Sequence, residues 1–146
     1  MYTKTENSRQ PMIGEVYTVE FTGTCSEQLG KRPAIIFQNN LGNLYSPNVI
    51  VLPLTSSLKK MSQPTHVLLK ADDTGLRIDS VVICENPVTV SKSKVGSYIT
   101  TVPNDLMREV AIGYVLATSA AAFLDDDDFQ KAHEKSIALN SVRVAG

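Results

Sequence analysis

The stretch from Ser26 to Thr55, SEQLGKRPAIIFQNNLGNLYSPNVIVLPLT, contains two short apolar runs separated by a polar link. Pro33 to Gln38 (PAIIFQ) and Val49 to Leu54 (VIVLPL) are continuously apolar rather than alternating, which suits strands buried on both faces. Between them, Asn39 to Asn43 (NNLGN) reads as a loop, because Asn and Gly accept the left-handed backbone that tight reversals need. Pro53 has no backbone N–H to give to a ladder, so its expected place is a bulge or an edge.

The flanking sequence extends this strand pattern. Gly14 to Phe21 (GEVYTVEF) alternates imperfectly, while His66 to Lys70 (HVLLK) and Ser80 to Cys84 (SVVIC) form a further pair joined by the turn-favouring residues Asp72 to Gly75. A short strand is expected around Pro87 to Val90. Together these runs describe a compact, mainly antiparallel β domain.

The pattern changes at Asn104. Leu106, Val110, Tyr114, Ala117, Ala121 and Leu124 recur at steps of three or four, which predicts one long helix from Asn104 to Leu124 that starts at Pro103, Asn104 and Asp105. Four aspartates, Asp125 to Asp128, then precede Phe129, Ala132, Ser136 and Ile137. Adjacent helical residues point in different directions, which argues against a metal site. The better reading sets these carboxylates at the N-terminal end of a second helix, where its dipole favours negative charge. Asn140 to Gly146 read as a frayed end. The expected organisation is one domain over residues 11–124 and an acidic extension over 125–146.

A chain of 146 residues has room for one domain and one sizeable core. No apolar stretch is long enough to span a bilayer, and the polar Met1 to Gln10 lacks the core of a signal peptide; the expectation is a cytoplasmic protein without membrane partners. Cys25 and Cys84 are too few and too far apart for a disulfide framework, and both read as free thiols. The net charge is −1, with nine basic and nine acidic residues between Pro11 and Leu124. Any nucleic-acid site must therefore be a local patch or a groove shared between subunits.

The chain has no phosphate-binding glycine loop, no nucleophile elbow and no clustered metal ligands, so neither cofactor nor metal is expected. His66 and His133 are the only histidines. His133 lies in the acidic tail, and His66 opens an apolar strand, where a structural role outweighs acid–base work.

Gly14-Glu15-Val16, Ser26-Glu27-Gln28, Arg32-Pro33, Pro53-Leu54-Thr55 and Pro64-Thr65-His66-Val67, taken together in this order, resemble the MazF/PemK toxin family. Gly14, Glu15 and Val16 match its Gly-Asp/Glu-Val opening; Ser26, Glu27 and Gln28 match its Ser-Glu-Gln loop; Arg32 and Pro33 match the Arg-Pro step into a buried strand. Gln38 and Asn39 match an amide pair, Pro53, Leu54 and Thr55 a Pro-Leu-Thr strand end, Pro64 to Val67 a Pro-Thr-His-Val start, and Asp79 to Val82 an Asp-Ser-Val-hydrophobic strand. The chain departs from the pattern at Pro87 to Lys92 (PVTVSK), where relatives often carry Ile-Arg-Thr-Ile/Val-Asp-Lys. An arginine and an aspartate are replaced there, while Lys92 and Lys94 remain.

The resemblance implies a fold related to SH3-like barrels (CcdB/PemK-like), a twisted antiparallel sheet with flanking helices that include a long C-terminal one, assembled as a homodimer. It implies a type II toxin that cleaves single-stranded RNA without metal and is held in check by a cognate antitoxin. Carried over by position, Arg32 and Thr55 are the catalytic pair. The RNA 2′-hydroxyl attacks the adjoining phosphate, and a guanidinium, a poor general acid because it stays charged, stabilises the charge that builds there. The expected RNA contacts are Ser26, Glu27, Gln28, Asn39, Ser56, Glu85 and Asn86. For Glu27, Gln28, Glu85 and Asn86, base reading and plain loop solvation stand side by side; for Ser56, a phosphate donor and a turn cap do. The rival readings are a non-catalytic CcdB-like toxin that acts on a protein such as gyrase, and an inactive family member.

Overall fold

The computed structural model describes residues 9–22, 30–60 and 63–142. Seven strands form one sheet: β1 (Glu15–Phe21), β2 (Gly30–Ile36), β3 (Asn48–Thr55), β4 (His66–Leu69), β5 (Ser80–Ile83), β6 (Val88–Ser91) and β7 (Val95–Thr101). The helices are α1 (Asn40–Tyr45), α2 (Ala71–Thr74), α3 (Asn104–Ala117) and α4 (Asp126–Asn140). The strand order is β4-β5-β3-β2-β1-β7, with β6 also paired to β3, and each pairing is antiparallel. The sheet is open, ending at β4 and β7, rather than a closed barrel.

Strand β3 organises the sheet. Its first half, Asn48 to Val51, pairs with β6, and its end, Leu54 and Thr55, pairs with β5. Pro53 falls between these two ladders, where its missing N–H costs no bond to either. The continuous hydrophobicity of the central strands is explained by two cores, one on each side of the sheet. Along β1, Val16 enters one core and Tyr17 the other; along β2, Ile35 is separated from Ala34 and Ile36; along β3, Leu52 and Leu54 are separated from Val49 and Val51. Each such fully buried aliphatic side chain is worth about 1.5–3 kcal/mol relative to exposure.

Helix α3 covers the first core with Leu106, Met107, Val110 and Tyr114. Its close approach depends on Gly113, where an added Cβ would sit 2.8 Å from Cys84 Sγ. Val88 and Val90 of β6 and Val95 of β7 close the second core.

Two sequence expectations are corrected by the structure, and one strand is added to them. Asn39 to Asn43 is not a loop but the start of α1, because Asn39 accepts the Gly42 N–H (2.9 Å) as N-cap and Asn43 Nδ2 donates to the Gln38 carbonyl (2.8 Å). The helix expected to run to Leu124 ends at Ala117: Thr118 is extended, and the short turn Ala120–Phe123 is exposed. Beyond Ala117 no core lies beneath the periodic residues to hold a continuous helix. Strand β7 has no clear signature in the sequence, since only its first residue, Val95, is buried and the alternating pattern is weak.

Helix α4 begins as its aspartates suggest. Asp125 accepts from the Asp128 N–H (2.9 Å), and Asp128 in turn accepts from the Asp125 N–H (3.1 Å), a reciprocal cap. Its far end is tied to α1: Asn140 Oδ1 accepts the Asn40 N–H (2.9 Å), and Asn40 Nδ2 donates to the Asn140 carbonyl (3.2 Å). No helix among the described residues is long and apolar enough to cross a membrane.

Candidate functional site

The entry of β2 and the end of β3 meet at one wall of a cleft of about 640 Å³. Gly30, Lys31, Arg32 and Pro33 come from β2, Leu54, Thr55 and Ser56 from the β3 end, and Leu76, Arg77, Ile78 and Ser80 from the segment entering β5. Thr18 of β1 and Ile99 of β7 complete it. Three of the lining residues are cations, and none of the described lining residues is acidic. A chain of nearly neutral net charge thus concentrates positive charge in one place, where the wall screens it less than open water does.

Arg32 and Thr55, expected as a pair from sequence, both line this cleft. They are half-buried, and Ser56 beside them is exposed. The hydroxyl oxygen of Thr55 accepts the Ser57 N–H (3.2 Å), a local turn that fixes the side chain and leaves its O–H to donate to a ligand. The cleft lining also includes apolar side chains, with Leu76 buried in the core and Ile78 and Ile99 exposed. Such a surface accepts the flat face of a base beside the charge of a phosphate.

The other expected contacts lie elsewhere. Glu85 is outside the cleft and holds His66: its Oε2 is 2.7 Å from His66 Nε2, and its Oε1 accepts the Thr65 hydroxyl (3.0 Å). Burial opposes its charge, but the hydrogen bonds from His66, its own backbone and Thr65 outweigh that and hold the carboxyl below its ordinary value. His66 is a buried structural partner in this arrangement. Asn39 is occupied capping α1, and the exposed Asn86 follows β5 without lining the cleft. Ser26, Glu27 and Gln28 lie outside the described residues, as does Cys25. Cys84 is a buried free thiol whose pKa burial pushes up to about 12.

Lys92 and Lys94 do not line the cleft. The first donates to the Leu44 carbonyl and the second pairs with Glu20, each at 3.5 Å. Lys31 and Arg77 were missed by sequence reading. Lys31 stood beside Arg32 in a recognised motif, whereas Arg77 sits in a connection whose turn residues carry no chemical signature of their own.

Comparison with known proteins agrees with this geometry. The model of a family described as PemK-like, MazF-like toxin of type II toxin–antitoxin system matches residues 13–113. The Bacillus subtilis protein Endoribonuclease EndoA is 36% identical over 98 residues, covering 66% of this chain and 84% of that one. Among solved structures, form I of MazF from Deinococcus radiodurans is similar with a TM-score of 0.64 at 24% identity, over 74% of this chain and 96% of that chain. An endoribonuclease in complex with its cognate antitoxin, from a mycobacterial species, gives 0.61 at 24% identity over 73% and 93%. The matched family region ends at residue 113, so α4 lies beyond it.

Proposed function

This chain belongs to the PemK-like, MazF-like family of type II toxins, and from that premise we propose that it is an endoribonuclease that cuts single-stranded RNA and is neutralised by a cognate antitoxin protein. The observation that carries the reading is the convergence of Arg32 and Thr55 on one basic cleft without acidic lining residues among those described. The alternative of a CcdB-like toxin acting on gyrase is set aside: the matched family is PemK/MazF, and the relatives are endoribonucleases.

The scissile phosphate sits between Arg32 and Thr55. The 2′-hydroxyl attacks the adjoining phosphorus and gives up its proton, the bond from phosphorus to the 5′ oxygen breaks, and that oxygen takes up a proton as it leaves. The products are a 2′,3′-cyclic phosphate and a 5′-hydroxyl. Arg32 offers two parallel donors to the non-bridging oxygens, whose negative charge grows in the transition state, and the Thr55 hydroxyl adds a third. The chemistry draws on the substrate's own nucleophile, so it proceeds in chelator and spares DNA.

The protein acts in the cytoplasm, where its RNA is found, and as a homodimer. The antitoxin covers the cleft with an acidic or apolar segment that competes with RNA for the same cations. Product analysis tests the proposal. Cleaved RNA should carry cyclic phosphate and 5′-hydroxyl ends, and replacing the nucleophilic ribose with 2′-deoxyribose should stop the cut. Ends bearing a 5′-phosphate, or cleavage of the deoxy substrate, would contradict it.

A further inference from the structure

Arg77 is exposed, and like Lys31 it makes no hydrogen bond or ion pair among the described residues; what sets it apart is how its base is held. Its backbone, by contrast, is held firmly on both sides. Leu76, the residue before it, is buried in the core; Thr100 Oγ1 donates to the Thr74 carbonyl (2.6 Å), and Ser80 Oγ donates to the Ile78 carbonyl (3.1 Å). Gly75 makes the turn possible. Its φ of +81° closes α2 in the left-handed region, and an added Cβ would meet Thr100 Oγ1 at 3.0 Å.

A guanidinium presented from a fixed base, with its donors available, suits an anion that arrives with the ligand. Arg32 reaches the same cleft from β2, a different wall from the β5 entry that carries Arg77. The exposed Ile78 next to it and Ile99 in the same cleft add apolar surface that a free phosphate would not use but a nucleotide would. We infer that Arg77 binds the RNA phosphate next to the scissile one, so that the cleft holds two consecutive phosphates and Arg77 sets the minimum substrate length on that side. This rests on reading the cleft as the RNA site. As a binding contact made equally in the ground and transition states, it acts on KM rather than on kcat.

The test uses the full-length protein and an RNA oligonucleotide containing one mapped cut. Arg77→Ala should raise KM by roughly tenfold or more, as loss of a charged hydrogen-bonding contact does, with kcat little changed and Arg77→Lys recovering part of the loss. A neutral methylphosphonate at one of the two phosphates flanking the cut should weaken the wild-type protein to the same degree and Arg77→Ala hardly at all. An unchanged KM in Arg77→Ala, or a methylphosphonate penalty at both positions undiminished in that variant, overturns the inference. Should the wild type cleave no RNA, the nuclease reading falls on its own. Arg77 is then judged by anisotropy with a single-stranded oligodeoxynucleotide: weaker binding by Arg77→Ala, with a salt slope reduced by about 0.7, upholds it as a phosphate ligand, and unchanged binding overturns it.

Discussion

Arg32 on β2 and Thr55 on β3 each lie two residues beyond the paired Ala34 and Pro53, and both line one cleft. Side chains two apart along a strand return to the same face, so the β2–β3 register itself brings the guanidinium and the hydroxyl together. A slip of one residue in that pairing would separate them and would also exchange the two cores. The buried side chains that fix the register therefore serve the site as well as the fold.

Thr55 should contribute through its hydroxyl alone. Thr55→Ala removes the donor and should lower the single-turnover cleavage rate by about 10²-fold, the usual consequence of deleting one transition-state donor. Thr55→Ser keeps both the donor and the turn to Ser57 and should retain most activity. Equal rates for the Ala and Ser variants would remove Thr55 from the chemistry.

The Glu85–His66 contact should make stability depend on pH in one direction. The folded carboxyl titrates below its ordinary value, so its contribution is present above the unfolded value near pH ~4.3 and is lost as pH falls through the folded one. Glu85 is partly exposed, which limits the effect: Glu85→Gln should cost roughly 0.5–1 kcal/mol at pH 7. Urea titrations of both proteins should converge toward pH 3. A gap that persists there would place the effect elsewhere.

The approach of α3 to Cys84, just past the end of β5, should tolerate no added volume. Gly113→Ala sets a methyl group 2.8 Å from Cys84 Sγ and 3.4 Å from its Cβ, and should destabilise by about 1–3 kcal/mol. Adding Cys84→Ala removes the sulfur and should restore part of that loss, a coupling expected only of residues in contact. Additive effects in thermal melts would show that α3 yields by moving instead.

Much of this was legible from residue pattern because burial imposes it. The runs around Ile35 and Val51 are apolar on both faces since two cores flank them, and they located the central strands. Arg32 and Thr55 were legible through the motifs around them. What stayed hidden depends on contacts distant in sequence. Helix α1 is fixed by amide hydrogen bonds that also reach Ile13 and Asn140, β7 is held mainly by pairing with β1, and Arg77 gains its place from Leu76 and Thr100. The partners of Glu85 and Asn39, His66 and the α1 backbone, were equally hidden.

Arg32 is expected to drive RNA cleavage without a metal ion. Purified protein and its Arg32→Ala variant would each be incubated with a long single-stranded RNA in EDTA, and the cuts mapped by primer extension. Discrete cuts by the wild type should vanish in the variant, with both proteins melting alike; intact RNA with the wild type, or the same cuts with Arg32→Ala, would remove Arg32 from the role of metal-free catalyst.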